Sequence, residues 1–459
     1  MVKRIFQTTI MSFSCLFLAG CGADPQENYQ VSLEVWGTFD DTDAYQEIFT
    51  AYKELNPHVK NITYRKLPTE SYRQDLIDAL AAGNGPDIFL LRNSWAGDFN
   101  DKLVAAPVGM IPTKNYQETF PDVATQDFVG VEGQIYGVPL SVDSLALYYN
   151  KDIFNANGIA RPPVTWEEVV SLVPRLTKVD SNGNITQSAI ALGTATNINR
   201  PTDILSALLY QKNSAILSAD GRPSLTDVPS QDAVAFYMQF SDIRSPLYTW
   251  NANLHYSLDA FYEGTLAMMI NYSWQYPALK QKNAKLNIGV APLPQFTEGS
   301  QANHANYWGY GVAKNKTFNP SVVDKNTPTK ENYDQIRTFE SWQFLKFLAF
   351  AKEDQSLRFQ NALTGNSADL VSPIDPSKIY LSKTMKPAAR RDLLAEQQSD
   401  AVLAPFASGN LINKNWLRVN TEPVEGVLAE LISNLYSGST SMNNALTLAT
   451  RRIETLTRE

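Results

Sequence analysis

The side chains of this chain best suited to chemistry are aromatic rings, because the usual catalytic groups are scarce. The 459 residues include 21 Tyr, 21 Phe and 8 Trp, but only three His and two Cys. The sequence contains no His-Glu-x-x-His zinc motif, no Gly-x-Ser-x-Gly nucleophile turn and no Gly-x-x-x-x-Gly-Lys-Ser/Thr phosphate loop. Charged side chains make up 19% of the chain. This balance favours recognition of a neutral polar ligand over catalysis or anion binding.

Cys21 is a second candidate for chemistry because of the residues before it. Residues 1–4 form a basic head, residues 5–18 are largely apolar, and Leu-Ala-Gly leads into the cysteine. The pattern predicts a secretory signal, and its ending resembles the lipobox of bacterial lipoproteins, whose thiol is lipidated and becomes the new N-terminus. The alternative is an ordinary signal peptide with an incidental cysteine. We expect a lipoprotein signal peptide over 1–20, lipidation at Cys21 and a flexible tether over 21–28.

Composition limits the partners and compartments of the mature chain. Loss of residues 1–20 would leave 37 basic and 47 acidic side chains, which argues against nucleic acid as a partner. Cys15 would leave with the signal and Cys21 would carry lipid, so we expect no disulfide, no metal site and no cofactor. The remaining sequence has no apolar run of the roughly 20 residues that a spanning helix needs. We therefore expect an exported monomer, anchored to the cell membrane by lipid and facing the periplasm or the extracellular side.

Strand and helix patterns alternate along the chain and would position the aromatic groups. Alternating apolar residues predict a strand over 29–36, and further strands are predicted over 59–66 and 86–91. Helical spacing predicts a helix over 43–56, and a second helix is predicted over 71–82. This order predicts a parallel sheet covered by helices.

The same patterns resume after residue 144. Strands are predicted over 144–149, 267–270, 286–291 and 308–313, and helices from 165 and over 205–212, 230–242, 258–263, 340–351 and much of 424–456. Thr165 followed by Glu168 predicts a capping box at the start of one helix. At about 150 residues per domain, the length predicts two or more domains.

Seven segments, in order, resemble the solute-binding lipoproteins of bacterial ABC importers, in the sugar-carrying branch that includes the maltodextrin-binding proteins. They include Ala-Ala-Gly-Asn-Gly-Pro-Asp-Ile at 81–88 and a long match at 135–152. The others lie at 162–168, 261–269 (with Trp274 close behind), 291–294, 309–313 and 342–348. The resemblance covers residues from about 30 to 350, and the last hundred residues match only in helical character and in Trp416.

The resemblance implies an α/β, two-lobed, periplasmic-binding-protein-like fold. Each lobe would be a mainly parallel sheet flanked by helices, and a hinge of several crossings would join the lobes. We expect the N-terminal lobe to comprise 29–143 and 295–365, and the C-terminal lobe 144–294 and 366–459. Hinge strands are expected near residues 138–144, 291–295 and 365–373.

A sugar presents hydroxyl groups and an apolar C–H face, so its site needs flat aromatic rings beside polar partners, of which a carboxylate is the best acceptor. The resemblance assigns the stacking ring to Trp274, with Tyr272 as its neighbour, and the ligand-binding carboxylate to Asp143. Residues that follow strands or re-enter a lobe complete the expected site: Trp36, Asn93, Ser94, Trp95, Trp308 and Trp416. Each of these could instead be a packing residue, and packing is expected for Trp166, Trp250 and Trp342, as is a structural role for Asp87.

The resemblance implies an extracytoplasmic receptor that captures a sugar or oligosaccharide and delivers it to the transmembrane subunits of an ABC permease, without being an enzyme. One alternative is the same fold binding a peptide or a polyamine. A polyamine site would need several carboxylates, and only Asp143 and either Asp40 or Asp41 are candidates. A glycan-active enzyme is the other alternative, since any two of 47 acidic residues could supply the paired carboxylates of a glycosidase.

Overall fold

The computed structural model describes residues 28–218, 221–319, 326–416 and 420–457. The predicted signal peptide, Cys21 and all of the predicted tether except Asn28 lie outside these residues. Within the described part of the chain, no helix is both long enough and apolar enough to cross a bilayer.

The strands of the described residues are numbered in chain order. They are β1 (Val31–Gly37), β2 (Val59–Lys66), β3 (Ile88–Arg92), β4 (Leu103–Val104), β5 (Val138–Ser141), β6 (Ala146–Asn150), β7 (Lys178–Val179), β8 (Ile185–Ile190), β9 (Leu266–Asn271), β10 (Ile288–Pro292), β11 (Asn303–His304), β12 (Trp308–Ala313), β13 (Ser356–Gln360), β14 (Ser367–Val371) and β15 (Asn413–Lys414).

The α-helices of the same residues follow the same convention. They are α1 (Gln46–Leu55), α2 (Tyr72–Ala81), α3 (Thr113–Thr119), α4 (Asp122–Phe128), α5 (Lys151–Ala156), α6 (Trp166–Leu176), α7 (Pro201–Gln211), α8 (Val228–Met238), α9 (Ser257–Glu263), α10 (Gln275–Lys282), α11 (Tyr333–Phe350), α12 (Pro376–Thr384), α13 (Arg391–Gln397), α14 (Ala404–Asn410), α15 (Thr421–Tyr436) and α16 (Met442–Thr457). The capping box predicted at α6 forms, because the Thr165 hydroxyl accepts the Glu168 N–H at 3.2 Å.

The first sheet has the strand order β2-β1-β3-β12-β4, with β5 also paired to β12. β1 is parallel to β2 and β3, as the alternation of strands and helices predicts. β12 is antiparallel to β3, β4 and β5. It enters this sheet only after the chain has passed through the second sheet, so no single crossover helix requires it to run parallel to β3.

The second sheet has the order β10-β6-β9-β8-β7. Only β8 and β9 are parallel in it, and the other pairs are antiparallel. The expected two-lobed α/β fold is therefore confirmed, but its sheets are mixed and not mainly parallel.

Two separate hydrophobic cores define the two lobes. The first core draws on residues 29–142 and 305–394 with Ala407, and the second on residues 145–302 and 406–453. We call the parts of the chain around these cores the first and the second lobe. The chain crosses between them near residues 143–145, near 302–305 and between 394 and 406.

The late part of the chain divides differently from the sequence prediction. β13 and β14 form an antiparallel hairpin, so residues 365–373 do not cross between lobes. Tyr380 of α12 and Leu393 of α13 are buried in the first core, whereas all of 366–459 was expected in the C-terminal lobe. The physical reason is long-range packing: the Tyr380 ring lies 5.6 Å from that of Tyr45, between centroids.

Hydrogen bonds tie the three crossings together. The Asn303 side chain accepts the Leu145 N–H at 3.1 Å and donates to the Leu145 carbonyl at 2.8 Å. The Ser144 hydroxyl donates to the carbonyl of Phe406, where the third crossing ends, at 3.1 Å. Hydrogen bonds therefore connect the first crossing to each of the other two.

Candidate ligand-binding site

A cavity of about 700 Å³ lies between the lobes. Most of its lining comes from the first lobe, including Phe39, Trp95 and Trp308. The second lobe contributes Arg200, Ser273, Trp274 and Glu422, and Asp143 lies at the first crossing. Four residues predicted from the sequence, Trp95, Asp143, Trp274 and Trp308, are thus brought together.

Trp274 is the exposed aromatic ring that the second lobe presents to this cavity. It lies at the start of α10, three residues beyond the end of β9, and 38% of its surface is exposed. Its ring stacks on Tyr272 with 4.6 Å between centroids. Tyr272 is fully buried and donates its hydroxyl to Asp203 at 2.9 Å. Tyr272 therefore supports Trp274 from below and does not itself line the cavity.

Asp143 connects the first crossing to the Trp274 loop. Its carboxylate accepts hydrogen bonds from the Ser144 N–H at 2.8 Å, the Ser273 N–H at 3.0 Å and the Ser273 hydroxyl at 2.5 Å. Burial raises the pKa of Asp143 to about 7, although these three hydrogen bonds act to lower it. The group can still accept a further hydrogen bond from a ligand hydroxyl, because a carboxylate has about four lone-pair sites.

The first lobe supplies a wall of aromatic rings. Trp308 makes edge contacts with Phe39 and Trp95, at centroid distances of 5.1 and 5.0 Å. Trp95 lies in a short 3₁₀ turn (Asn93–Trp95) after β3, and its indole N–H donates to Glu422 at 3.2 Å. Phe39 is 43% exposed. Aromatic surface from both lobes thus faces the same cavity.

Five predicted site residues do not line the cavity. Tyr272 lies beneath Trp274, and the other four are buried inside the fold. The Trp36 indole donates to Glu34 at 2.8 Å, and the Asn93 amide donates to Asp127 at 3.1 Å. The Ser94 side chain is buried, and Trp416 packs in the second core. A position at the end of a strand does not decide which side of the backbone the side chain takes, so it does not decide whether the side chain reaches the cavity.

An ion pair that the sequence analysis largely missed lies in the cavity wall. The Lys386 ammonium donates to both Asp40 carboxylate oxygens, at 2.6 and 2.8 Å, and to the Tyr380 hydroxyl at 2.8 Å. Burial lowers the pKa of Lys386, against the opposing charge of Asp40. In the sequence analysis, Asp40 was considered only as a possible carboxylate of a polyamine site. Nothing in the sequence indicated that Lys386 and Tyr380 belong to the site, since the segment around them had been assigned to the other lobe.

The remaining expectations concern structural residues. Trp166, Trp250 and Trp342 are fully buried. Asp87 is also buried, accepts the Glu34 N–H at 2.8 Å and pairs with Lys316 at 2.8 Å. In the described residues, no group of three or more His, Cys, Asp or Glu side chains could hold a metal ion.

The fold and the cavity define a two-lobed solute-binding protein. The family model of the bacterial extracellular solute-binding proteins matches residues 36–354. The chain therefore belongs to this family.

Relatives in curated collections and among solved structures include sugar-binding proteins. The maltodextrin-binding protein MdxE of Bacillus subtilis is 25% identical over 344 residues, which cover 71% of this chain and 76% of that protein. Among solved structures, the cyclic α-maltosyl-1,6-maltose binding protein from Arthrobacter globiformis is similar with a TM-score of 0.71 and 18% identity, over 94% of this chain and 99% of that one. A maltose/maltodextrin-binding domain from Bdellovibrio bacteriovorus, bound to maltotriose, has a TM-score of 0.62 and 18% identity, over 94% and 100% of the two chains.

Proposed function

We propose that this protein is an extracytoplasmic receptor that captures a carbohydrate between its lobes and delivers it to the permease of an ABC importer. The observation that carries the proposal is the exposed ring of Trp274 in the same cavity as Phe39 and Trp308 of the other lobe. Rings from two lobes can stack on the apolar faces of a sugar while polar groups bind its edge. The sugar-binding relatives support the same class of ligand.

The polar groups of the cavity suit hydroxyl recognition. Asp143 offers an acceptor, and the pair of Asp40 and Lys386 offers an acceptor beside a donor. Charge-assisted hydrogen bonds of this kind are stronger than neutral ones. The volume of about 700 Å³ lies in the range of roughly 300–1,000 Å³ typical of small-molecule sites. The cavity therefore suits a monosaccharide or short oligosaccharide and not a long polymer.

The proposed mechanism is closure of the two lobes on the ligand. A carbohydrate that contacts Trp274 and Trp308 together would bind the closed arrangement better than an open one and would shift the population toward it. The closed receptor would then dock on the transmembrane subunits of the permease. Lipid on Cys21 would keep it in the membrane plane and raise its effective concentration near the permease.

The alternatives are less well supported by the cavity. A polyamine needs several ionised carboxylates without partners. Of the four acidic residues that line the cavity, Asp40 is paired with Lys386, Glu422 accepts the Trp95 indole N–H, and Asp143 has a pKa raised to about 7. A glycosidase needs one carboxyl group that donates a proton to the leaving group. Asp143 has the raised pKa of a proton donor, but a glycosidase also needs a second, ionised carboxylate that acts as nucleophile or base. Both oxygens of Asp40 are bound to Lys386, at 2.6 and 2.8 Å, which favours ligand binding over that role. We propose that the protein binds its ligand without chemical change.

A thermal-shift screen of the purified full chain tests this proposal. The panel contains mono- and oligosaccharides, with polyamines and short peptides as separate arms. At least one saccharide should raise the melting temperature, because a ligand that binds only the native state stabilises it, and that saccharide should be recovered uncleaved. A shift with amines or peptides only, or cleavage of the saccharide, would refute the proposal.

A further inference from the structure

Two of the four cationic side chains in the cavity lack hydrogen-bonded partners. Lys386 pairs with Asp40, and Arg73 pairs with Asp98 at 3.3 Å. Within the described residues, the guanidinium groups of Arg92 and Arg200 donate no hydrogen bond. Arg92 has only a long ion pair, of 3.9 Å, with Glu425, and the Nε of Arg200 is buried without a partner.

The backbone conformation and the helix position of Arg200 are both unfavourable for folding. Its backbone is in the left-handed region, at φ 64°, directly before Pro201. It is also the N-cap of α7, where a cation opposes the helix dipole. Strained backbone of this kind persists where the surroundings hold it, and it is common at functional sites. Here it places the guanidinium 5.5 Å from the centroid of the Trp274 ring.

The acidic groups near the two arginines make interactions of their own. Glu422, which lines the cavity, accepts the Trp95 indole N–H at 3.2 Å. Asp203 accepts the hydroxyl of Tyr272. Burial, followed by the charge of Asp203, raises the pKa of Glu425 to about 7, while Arg92 and Arg200 both act to lower it. Burial therefore acts against the ionised form of Glu425, which lies 3.9 Å from Arg92. Arg92 comes from the first lobe and Arg200 from the second, and both line the same cavity.

Resting on the proposed function, we propose that Arg92 and Arg200 bind a carboxylate on the carbohydrate ligand, which makes the ligand an acidic sugar such as a uronic acid or its oligosaccharide. Guanidinium groups match the two oxygens of a carboxylate and form strong, planar hydrogen bonds with it. A carboxylate between Arg92 and Arg200 would also connect the first lobe to the second. The composition of the chain favours a neutral ligand, and the cavity as a whole carries four cationic and four acidic side chains; the inference rests on Arg92 and Arg200 alone.

Matched ligand pairs and point variants test this inference. Titration calorimetry compares glucose with glucuronate, galactose with galacturonate, and α-1,4-linked galactotriose with trigalacturonate. The variants are Arg92→Gln and Arg200→Gln, with Arg200→Lys keeping the charge. Arg65→Gln is the control, because Arg65 lies over Trp36 and does not line the cavity. Melting curves recorded first confirm that each variant is folded.

We expect the acidic member of at least one pair to bind about tenfold tighter or more at low salt, as charge-assisted bonds allow. Each Gln variant should remove most of that preference, Arg200→Lys should retain part of it, and Arg65→Gln should retain all of it. Equal or tighter binding of the neutral member, or an unchanged preference in both Gln variants, would overturn this inference and leave the carbohydrate receptor standing. Binding of neither member of any pair would overturn both proposals if amines or peptides bind instead.

Discussion

At the scale of single residues, Trp274 and Tyr272 have different roles, although ligand contact was predicted for both from the sequence. The tryptophan is 38% exposed in the cavity, whereas the tyrosine is buried and held by Asp203. The buried ring fixes the plane of the exposed one by stacking at 4.6 Å. Ligand affinity should therefore depend on Trp274 directly and on Tyr272 through its support of that ring.

Trp274→Ala should weaken saccharide binding by about 2 kcal/mol or more, roughly 30-fold in Kd, since central aromatic anchors contribute on this scale. The fold should stay cooperative, because the side chain is partly exposed. Calorimetry with the best saccharide of the screen measures the change.

The matched control for this variant is Tyr436→Ala. Tyr436 is also 38% exposed in the second lobe but does not line the cavity. Its replacement should leave the affinity unchanged. Equal affinities of wild-type protein and the Trp274 variant would remove Trp274 from the site.

Some of the residues that line the cavity could be predicted from the sequence, but the charged pair in its wall could not. Asp143 lies inside a segment that resembles the family and Trp274 lies close behind another, so both positions could be predicted. Lys386 could not, because its partner Asp40 is 346 residues away in sequence and nothing local records the pairing. Arg200 did carry a signal: an arginine directly before the first proline of a helix is unfavourable for the helix and invites a functional explanation.

At the scale of elements, a buried carboxyl group joins α11 to the N-terminal part of the first lobe. Glu340 in α11 accepts hydrogen bonds from the Tyr29 hydroxyl and, at 2.7 Å, from the Asn56 amide. Tyr29 in turn accepts the Ala362 N–H at 2.9 Å. Burial raises the pKa of Glu340 to about 7, against the effect of the two hydrogen bonds.

This raised pKa predicts a pH-dependent stability. Below about pH 4.5 Glu340 is protonated in both states, and between pH 4.5 and 7 only the unfolded state loses its proton, so this group's contribution to stability falls as pH rises. Glu340→Gln should therefore gain stability relative to wild type across that range, by about 3 kcal/mol at about 1.4 kcal/mol per pKa unit. Chemical denaturation at several pH values measures this difference.

Glu353→Gln serves as the control, since Glu353 is exposed just beyond the end of α11. Its stability should follow that of the wild type at each pH. If the difference in stability between Glu340→Gln and wild type also stays constant from pH 4.5 to 7, burial does not raise the pKa of Glu340.

The close packing of α14 against the crossings between the lobes predicts that a larger residue at Gly409 lowers the stability. A Cβ there would overlap the Ser144 hydroxyl and approach the Asn303 amide nitrogen to 2.8 Å. Gly409→Ala should lower the free energy of unfolding by about 1–3 kcal/mol, the usual range for overpacking. Gly426 in α15 has nothing within 4 Å. Gly426→Ala should therefore raise the free energy of unfolding by about 0.5–1 kcal/mol, because alanine has a higher helix propensity than glycine. Denaturation curves that show no loss for Gly409→Ala would mean that the crossings are loosely packed.

Local patterns predicted elements but not their assembly. The bounds predicted for β2 and β12 agree with the observed ones, Val59–Lys66 and Trp308–Ala313. The direction of β12 and the lobe that holds α12 and α13 depend on contacts across the fold. Arg390, for example, donates to the Ala351 carbonyl at 3.0 Å and to Asp375. No periodicity in the sequence reports contacts of that kind.

At the scale of the whole molecule, the two lobes and the proposed lipid serve separate steps. The cavity binds the ligand, and Cys21 would hold the receptor beside its permease. Cys21→Ser should therefore release a protein that still binds its saccharide, because the acyl chains supply about 0.8 kcal/mol per buried CH₂. Membrane fractionation measures the release, with Cys15→Ser as the control that stays bound. Retention of the Cys21 variant in the membrane fraction would contradict lipidation at this residue.

Calorimetric titration of the full chain with the saccharides of the screen, followed by analysis of the recovered ligand, tests the central claim most directly. We predict saturable binding of one saccharide per chain and recovery of that saccharide intact. Absence of binding by every saccharide, or recovery of cleaved products, would contradict the claim that this protein is a carbohydrate receptor.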